Sequence, residues 1–499
     1  MRFFASLQHQ LHGMLRTRAN TGGMLTGSLA IVSCLLLASC GGGGGSDTTG
    51  GSSTPVVSIS LAPASVVIGQ GASLSWNATN ATSCTASGAW SGSKASSGSL
   101  QVTQGSIGSY VYTLTCSGAG GDGTGSATLA VTAAVNNTVA MTVDNGPPAA
   151  NGVINQPYVS VTICRPGTAV CQTIDHILVD TGSYGLRIIA PGILDPALAL
   201  PAVLTSSGAQ VGECVKFTSG YTWGSVQKAD VKLGGEVASA LSVNIVGDTA
   251  PAFAATPTEC SSGVSNLGTV ANLGANGILG IGVFNEDCGS ACVNSAVSGT
   301  YYGCTANSCL STSLPLAQQV ANPVAAFARD NNGVILVLPA VPAGGATSLT
   351  GSLIFGIGSQ ANNAFASETV YATNNVGNFT TTYKGKALTA SYLDSGSNGY
   401  YFSDSTIAKC STSSGFYCPP STLSLSAVNT SSGGAASGTI NFILVNVDNL
   451  PSSVTAAAVG GSAGSNTFDW GLPFFFGRRV FVAIENAATP KGKGPYWAY

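Results

Sequence analysis

The sequence contains two short segments that end in an aspartate followed by the same kind of small polar turn. One is His176-Ile-Leu-Val-Asp180-Thr-Gly-Ser183, and the other is Ala390-Ser-Tyr-Leu-Asp394-Ser-Gly-Ser397. Each pattern predicts an apolar strand that ends at its aspartate. A single Asp-x-Gly predicts only a turn, because Asp and Gly favour turns. Two copies in matching surroundings indicate a duplicated unit in which both turns have the same task.

The chemistry open to these two aspartates depends on whether their carboxyl groups meet. Two carboxyls ~3 Å apart cannot both ionise, so they share one proton and titrate as a pair. One carboxylate can then take a proton from a water molecule while the other acid donates to a carbonyl oxygen. Asp180 and Asp394 are therefore the candidate catalytic residues. The residues expected to support them are their small or hydroxylated neighbours, Thr181, Gly182, Ser183, Ser395, Gly396 and Ser397.

The overall composition excludes several other functions. Only 7% of the 499 residues are charged and the net charge is −3, so no basic surface is predicted for a nucleic-acid partner. The histidines are His9, His12 and His176, of which the first two lie in a leader segment. A metal site with several histidine ligands is thereby excluded, and no metal or cofactor is expected. A nucleophile activated by histidine would have to use His176, which we interpret as an inert strand residue.

The first 39 residues have the pattern of a secretory signal peptide. Three arginines precede an apolar stretch, residues 24–38, that is too short to span a bilayer. The stretch ends in Leu-Ala-Ser-Cys40, which resembles the lipobox of bacterial lipoproteins. That resemblance implies cleavage before Cys40, lipidation of Cys40 and, because Gly41 follows, an outer-membrane location on the periplasmic or surface face. Residues 40–55 are rich in Gly and Ser and predict a flexible tether.

The cysteines predict disulfides. Removing Cys34 and Cys40 from the 14 cysteines leaves an even number in an oxidising compartment. Their spacing predicts four local pairs, namely Cys84 with Cys116, Cys164 with Cys171, Cys214 with Cys260, and Cys410 with Cys418. The remaining cluster of Cys288, Cys292, Cys304 and Cys309 has three possible pairings, which stay open. Four clustered cysteines could instead bind zinc, but the compartment favours disulfides.

Residues 56–135 form short alternating segments that are separated by Gly, Asn and Ser. This pattern predicts a β-sandwich. Trp76 and the Cys84/Cys116 pair resemble the core and the cross-brace of the small immunoglobulin-like domains of bacterial surface proteins. No cluster of titratable residues is present in this segment, so we predict a spacer or adhesive module.

Residues 139–499 resemble the bilobal, pepsin-like aspartic peptidases, with a first lobe over 139–332 and a second over 333–499. In that family each lobe also has two apolar residues before a glycine that braces the catalytic turn. Asn276-Gly-Ile-Leu-Gly280 is similar to the first-lobe version and Phe468-Asp-Trp-Gly471 to the second. The resemblance implies that Gly280 and Gly471 are the bracing glycines. The run FDWGLPFFFGRRVFVAIEN also resembles a family of proteobacterial lipoproteins, to which we assign no activity.

The same resemblance implies a flap, a hairpin that covers the cleft between the lobes. Its place falls on residues 215–235, and the candidates for its aromatic residue are Phe217, Tyr221 and Trp223. The position seven residues after the first aspartate, which is aromatic in the family, is Arg187 here. At the lobe junction, residues 315–321 and 324–329 have a helix-like pattern and precede strands over 333–338 and 351–356.

These observations predict a mostly β fold in which a small β-sandwich is followed by a bilobal, pepsin-like double-β-barrel domain. The expected function is that of a cell-envelope lipoprotein acting as an aspartic endopeptidase on a peptide or protein substrate. We expect a monomer that is held at the membrane by its lipid anchor. The alternative is a catalytically silent peptide- or glycan-binding lipoprotein, or an adhesive one, on the same fold. Cleavage of peptides distinguishes the two.

Overall fold

Strands rather than helices build the part of the chain that the computed structural model describes, which is residues 53–69, 71–133, 136–150 and 152–499. The chain divides into two units between residues 135 and 136. The predicted mostly β fold class is confirmed. The predictions for the signal peptide, for Cys40 and for most of the tether concern residues 1–52 and lie outside the described residues. Within the described ranges, no helix is long and apolar enough to cross a membrane.

The smaller unit consists of two sheets around one apolar core. Its strands are β1 (Val56–Ala62), β2 (Ser65–Val67), β3 (Gly71–Thr79), β4 (Ser83–Gly88), β5 (Gly92–Lys94), β6 (Ser97–Thr103), β7 (Gly108–Gly118) and β8 (Gly121–Thr132). One sheet has the order β1-β3-β6 and the other β2-β8-β7-β4-β5. Leu74 from the first sheet and Leu114 from the second are fully buried in the shared core, which makes this unit the predicted β-sandwich.

The larger unit begins with ten strands and three short helices. The strands are β9 (Thr138–Val143), β10 (Pro157–Cys164), β11 (Cys171–Asp180), β12 (Tyr184–Ile189), β13 (Gln210–Phe217), β14 (Gly220–Leu233), β15 (Glu236–Val246), β16 (Gly277–Ile281), β17 (Tyr301–Cys304) and β18 (Cys309–Ser311). The helices are α1 (Thr258–Ser261), α2 (Val270–Leu273) and α3 (Ser290–Asn294).

The second part of this unit adds strands β19 (Gly333–Val337), β20 (Leu349–Phe355), β21 (Val370–Ala372), β22 (Phe379–Tyr383), β23 (Lys386–Asp394), β24 (Tyr400–Phe402), β25 (Leu423–Thr430), β26 (Ser437–Leu444), β27 (Gly460–Gly461), β28 (Thr467–Gly471), β29 (Arg479–Ala483), β30 (Ala488–Thr489), β31 (Gly492–Lys493) and β32 (Tyr496–Ala498). The 3₁₀ helices of the unit are Pro196–Leu198, Pro251–Phe253, Leu316–Gln318, Pro323–Ala326, Ala361–Asn363, Val447–Asn449 and Leu472–Phe475. The strands predicted over 333–338 and 351–356 correspond to β19 and β20.

Two sheets carry the two aspartate turns. One sheet has the order β18-β17-β13-β14-β15-β12-β16-β11-β10-β9-β20-β19-β29-β32-β21, and the other has the order β26-β25-β22-β23-β28-β24-β27. In each, the strand that ends in aspartate lies parallel to a strand that ends near a glycine, β11 beside β16 and β23 beside β28. The following strand then pairs antiparallel with that same neighbour, β12 with β16 and β24 with β28. The larger unit is therefore internally duplicated around the two turns.

One apolar core joins the two halves of this duplication. Val179 and Leu279 of the first half and Leu393 and Trp470 of the second are all fully buried in the same cluster. Strand β16 is buried along its whole length, as expected for a strand that is covered on both faces. The aspartate turns are thus fixed on rigid, buried strands.

The helices predicted at the lobe junction are absent from the structure, and that prediction was wrong. Residues 315–321 contain only the 3₁₀ turn Leu316–Gln318, and a second 3₁₀ turn covers Pro323–Ala326. Pro323 has no amide hydrogen and cannot continue a helix from the preceding residues. Asn322 instead caps the second turn, because its side chain accepts a hydrogen bond from the amide of Val324.

Six disulfides are formed among the residues that the structure describes. The four predicted pairs, Cys84–Cys116, Cys164–Cys171, Cys214–Cys260 and Cys410–Cys418, are confirmed. The cluster that the sequence left open pairs as Cys288–Cys292 and Cys304–Cys309. The last of these crosses the β17–β18 hairpin.

Candidate active site

Each aspartate is the last residue of its strand and lies beside a glycine of the neighbouring parallel strand. Asp180 pairs in register with Gly280, and Asp394 pairs with Gly471. A Cβ on Gly280 would lie 2.6 Å from the amide nitrogen of Tyr184, and one on Gly471 would lie 2.1 Å from the carbonyl oxygen of Gly399. Only glycine allows the chain to pass this close to each turn, and these are the two positions at which the family resemblance implied a bracing glycine.

Hydroxyl groups next to the aspartates bind across from one turn to the other. The Thr181 hydroxyl donates to the carbonyl of Leu393 over 3.1 Å and accepts from the amide of Ser395 over 2.9 Å. The Ser395 hydroxyl does the reverse, since it donates to the carbonyl of Val179 over 2.7 Å and accepts from the amide of Thr181 over 3.1 Å. This reciprocal exchange of four hydrogen bonds holds the two turns in fixed register.

The exchange brings the two carboxyl groups into contact. The carboxyl of Asp180 lies within hydrogen-bonding reach of that of Asp394, and both residues are 0% exposed. A Cβ on Gly182 would lie 2.5 Å from the carboxyl carbon of Asp394, and one on Gly396 would lie 2.6 Å from Oδ1 of Asp180. The glycine of each turn therefore makes room for the carboxyl of the other.

Each carboxyl also receives hydrogen bonds from its own turn. Oδ1 of Asp180 accepts from the Gly182 amide over 2.8 Å, and its Oδ2 accepts from the Ser183 hydroxyl over 2.5 Å. The same pattern recurs at Asp394, where the Gly396 amide and the Ser397 hydroxyl donate over 2.8 Å and 3.0 Å. All six predicted supporting residues thus contact the two carboxyl groups or the opposite turn.

Burial raises the pKa of the Asp180 carboxyl above its usual range, although its hydrogen bonds with Asp394, Ser183 and Gly182 and the charge of Arg187 oppose the shift. Two buried carboxyls joined by a hydrogen bond must hold at least one proton between them. The pair can therefore offer an acid and a base at the same place.

A buried ionic cluster lies beside the first turn, and its centre is Arg187. This guanidinium contacts the carboxylate of Glu213 at 2.8 Å and that of Asp287 at 3.2 Å, and all three side chains are buried. The Tyr301 hydroxyl donates to Asp287 over 2.5 Å. Burial and the neighbouring Glu213 raise the pKa of Asp287 well above its usual range. The cluster places a cation where the resembled family has an aromatic residue.

The aromatic side chains predicted for a flap are packed inside the first lobe. Phe217 is buried in a cluster with Leu178 and Ile278, while Trp223 donates from Nε1 to the carbonyl of Phe253 over 3.1 Å. Tyr221 is buried with Trp223 and Cys214 in a second cluster.

Their hairpin is also braced on its outer side. Strand β13 pairs with β17 as well as with β14, and the Cys214–Cys260 disulfide ties β13 to α1. A Cβ on Gly220, at the tip of the hairpin, would lie 2.1 Å from the carbonyl oxygen of Ser265. The hairpin is therefore part of a sheet and is held at its tip by a neighbouring loop.

Three carboxylates next to these features were not identified from the sequence, namely Glu213, Asp287 and Asp469. Asp469 lies in β28, where its Oδ2 is 2.6 Å from the Ser397 hydroxyl oxygen. For Asp469, the available signal was an acidic residue inside an otherwise apolar strand. His176, in contrast, lies near the carboxylates of Asp144 and Asp175.

One group of potential metal ligands occurs in the described part of the chain, and its members are Cys410, Cys418 and Asp448. The two sulfurs are joined in a disulfide, so they have no thiolate to offer a metal ion. This arrangement does not fit a metal centre.

Both a known protein family and solved structures contain chains similar to this one. A family model described as "Protein of unknown function (DUF3443)" matches residues 133–499. No curated protein matches the chain. Among solved structures, the chain is similar to the aspartic proteinase from Irpex lacteus, with 15% sequence identity and a TM-score of 0.39. That similarity covers 72% of this chain and 96% of the other.

Proposed function

We propose that this chain, which belongs to the family described as "Protein of unknown function (DUF3443)", is an aspartic endopeptidase in which Asp180 and Asp394 together activate a water molecule. The observation that carries the proposal is that two fully buried carboxyls meet, with the glycine of each turn packed directly against the carboxyl of the other. The four reciprocal hydrogen bonds of Thr181 and Ser395 support it, because they preorganise the pair before any substrate binds.

In the proposed reaction the pair begins with one proton. The ionised carboxylate removes a proton from water, and the water oxygen forms a bond to the carbonyl carbon of the peptide. The protonated carboxyl donates its proton to the carbonyl oxygen, which gives a neutral tetrahedral intermediate. The carbon–nitrogen bond then breaks as the nitrogen takes a proton from the pair, and the hydroxyl proton of the intermediate returns to it. The pair ends with one proton, as it began.

The proposal requires movement around the site. Asp180 and Asp394 have no exposed surface, so neither a water molecule from solvent nor a peptide reaches them in the arrangement described above. The hairpin β13–β14 is braced on several sides, and we infer that access opens through other segments between the lobes.

We propose further that the protein is an outer-membrane lipoprotein anchored through Cys40 and that its β-sandwich is an immunoglobulin-like module that acts as a spacer. The support for the anchor is the lipobox-like sequence before Cys40. Six disulfides are compatible with an oxidising, extracytoplasmic compartment. The support for the module is its two-sheet core, which contains the Cys84–Cys116 bridge.

The complete burial of the carboxyl pair favours a second candidate function. A protein that retains the fold but never exposes the pair would be a catalytically silent peptide- or glycan-binding lipoprotein. The buried cation at Arg187 is a departure from the resembled family that is compatible with this alternative. Hydrolysis is therefore the property to measure first.

The test uses the full mature chain in detergent and a mixed peptide library, incubated at a series of pH values from about 3 to 8. Cleavage products are identified by mass spectrometry. We expect cleavage by the wild type, loss of cleavage in Asp180→Asn and in Asp394→Asn, and full activity in Asp122→Asn, which changes an exposed aspartate of the sandwich. Absence of cleavage by the wild type at every pH would leave the binding function as the better conclusion.

A further inference from the structure

The hydroxyl of Ser397 lies between two carboxyl groups. Its Oγ is 3.0 Å from Oδ2 of Asp394 and 2.6 Å from Oδ2 of Asp469. Asp469 is 1% exposed. It lies in the middle of β28, between Tyr392 of β23 and Tyr401 of β24. The carboxyl pair therefore has a third buried carboxyl behind it, and Ser397 connects the two.

The number of hydrogens limits how these groups can be charged. A serine hydroxyl has one proton, so it can donate to only one of the two carboxyls at a time. For both contacts to be hydrogen bonds, one carboxyl must bring its own proton and donate it to Ser397. If both were ionised, one of them would face the lone pairs of the serine oxygen without a hydrogen in between.

The surroundings indicate which carboxyl brings the proton. Oδ1 of Asp394 accepts from the amides of both Gly396 and Ser397, and amide donors favour the ionised form. Oδ1 of Asp469 is buried and accepts no hydrogen bond, which suits the carbonyl oxygen of a neutral acid better than a charged carboxylate. Burial also raises the pKa of Asp469 well above its usual range.

We propose that Asp469 is a positioning residue, a neutral acid that donates its proton to Ser397 so that the serine hydroxyl can only donate to Asp394. This deepens the proposed endopeptidase function and rests on it. With the serine held in this way, its bond to Asp394 exists only while Oδ2 of Asp394 carries no proton. The shared proton of the pair then resides on Asp180, and Asp394 is the base that takes a proton from water.

The first turn has no carboxyl at the strand position that corresponds to Asp469. In the second half, Asp469 of β28 pairs with Tyr392 of β23. The residue at the corresponding position of the first half is Ile278 of β16, which pairs with Leu178 of β11. Ser183 donates to Asp180 without a third carboxyl from that strand position. The asymmetry between Ile278 and Asp469 thus gives the two aspartates different roles. The titratable groups that face Asp469 are Tyr392, Tyr401, Asp180 and Asp394.

Two substitutions at Asp469 distinguish the loss of a hydrogen-bond donor from the replacement of the side chain as such. Asp469→Asn keeps a donor for Ser397, because the amide nitrogen can replace the acid proton. Asp469→Ile introduces the residue found at the first-lobe position and removes the donor. We expect Asp469→Asn to keep kcat within about threefold of the wild type and to leave the acidic limb of the pH–kcat profile unchanged. We expect Asp469→Ile to lower kcat about tenfold or more at low pH and to shift the acid limb upward by about one pH unit, with a smaller change in KM.

A direct measurement uses the full mature chain labelled at the aspartate side-chain carbons, with carboxyl NMR signals followed against pH. Each signal is assigned by its disappearance in the corresponding Asn variant. We expect the Asp469 signal to stay in its neutral position from about pH 4 to 7 and Asp394 to ionise before Asp180. Ionisation of Asp469 near its ordinary pKa of about 3.9, or ionisation of Asp180 before Asp394, would overturn the proposal.

The two readouts separate this proposal from the endopeptidase function. If the wild type cleaves no peptide, the function fails, but the NMR titration still decides whether Asp469 is neutral and which aspartate ionises first. If Asp469→Ile does not fold, the comparison of wild type with Asp469→Asn and the titration remain decisive. Equal losses of activity in the Asn and Ile variants would show that the acid proton itself is needed and would refute the donor role.

Discussion

Thr181 and Ser395 bind each other's turns through both their hydroxyl groups and their backbone amides. Each hydroxyl accepts from the other residue's amide, over 2.9 Å and 3.1 Å, and donates to the carbonyl that precedes the opposite aspartate. Because all of these atoms are buried, losing one hydroxyl leaves an amide and a carbonyl unpaired. The two residues therefore act together, and their hydrogen bonds fix the separation of the two carboxyls.

Removing either hydroxyl should destabilise the fold. We expect Thr181→Val and Ser395→Ala each to lower the free energy of unfolding by about 1–3 kcal/mol, because buried groups lose their partners. The double variant should lose less than the sum, since both changes break the same exchange. Urea unfolding of the four proteins measures this coupling. Thr173→Val, which breaks an exposed threonine pair, is the control and should stay within about 0.5 kcal/mol. Strict additivity would contradict the prediction.

The turn glycines should tolerate no side chain. In Gly182→Ala the new Cβ would lie 2.5 Å from the carboxyl carbon of Asp394, so the carboxyls must separate. We expect peptide hydrolysis to fall by about 100-fold or more and the unfolding free energy to fall by about 1–3 kcal/mol. Gly344→Ala is the matched control, because nothing lies within 4 Å of its added Cβ. Wild-type hydrolysis rates in Gly182→Ala would contradict the proposed pair geometry.

The buried cation at Arg187 should matter for both stability and acidity. Arg187→Met leaves Glu213 buried without its 2.8 Å partner, and we expect a loss of about 3–5 kcal/mol in unfolding free energy. Since the charge of Arg187 lowers the pKa of Asp180, the pKa of that carboxyl should rise in the variant, which carboxyl NMR would detect.

The control for this substitution is Arg479→Met, which breaks a partly exposed ion pair with Glu368 and should cost about 1 kcal/mol or less. Equal losses of unfolding free energy in the two arginine variants would show that the buried ion pairs of Arg187 contribute no more to stability than the partly exposed pair of Arg479.

Glu236 should make the protein less stable as the pH rises. Burial, together with the charge and hydrogen bond of Asp330, raises the pKa of Glu236 to about 7, compared with about 4.3 in an unfolded chain. The folded protein therefore binds a proton that the unfolded chain releases. The contribution is present in full below about pH 4.3 and is lost as the pH rises through about 7, at up to about 1.4 kcal/mol per pH unit.

Glu236→Gln should reduce the dependence of the unfolding free energy on pH between about pH 4.3 and 7. Urea unfolding at several pH values measures this dependence. Glu259→Gln, at an exposed glutamate, is the control and should leave the slope unchanged. Parallel curves for wild type and Glu236→Gln would show that Glu236 titrates normally in the folded state.

The lipid anchor has a direct test in cells. Cys40→Ser should abolish labelling with a fatty acid and prevent cleavage of the leader, because the thiol is the acceptor of the lipid. Labelling and electrophoretic mobility measure both effects, and Cys34→Ser is the control, since that cysteine lies within the apolar stretch of the leader. Normal labelling of the Cys40 variant would remove the outer-membrane assignment.

Features that depend on neighbouring residues could be predicted from the sequence. The alternation of residues indicated strands, and the repeated Asp-x-Gly indicated two turns that belong together. Four disulfides were predicted because each links cysteines separated by 46 residues or fewer, with no competing cysteine between them. The lobe-junction helices over 315–321 and 324–329 were predicted incorrectly, because these segments form only short 3₁₀ turns.

The tertiary structure alone decided which side chains meet. Arg187 is bound by carboxylates 26 and 100 residues away, and Ser397 meets Asp469 across 72 residues. No local pattern specifies such partners, because strand periodicity gives the face of a side chain but not what is packed against it. The complete burial of Asp180 and Asp394 is decided in the same way. It depends on how two halves of one core close around the turns, which is a property of packing and not of any segment.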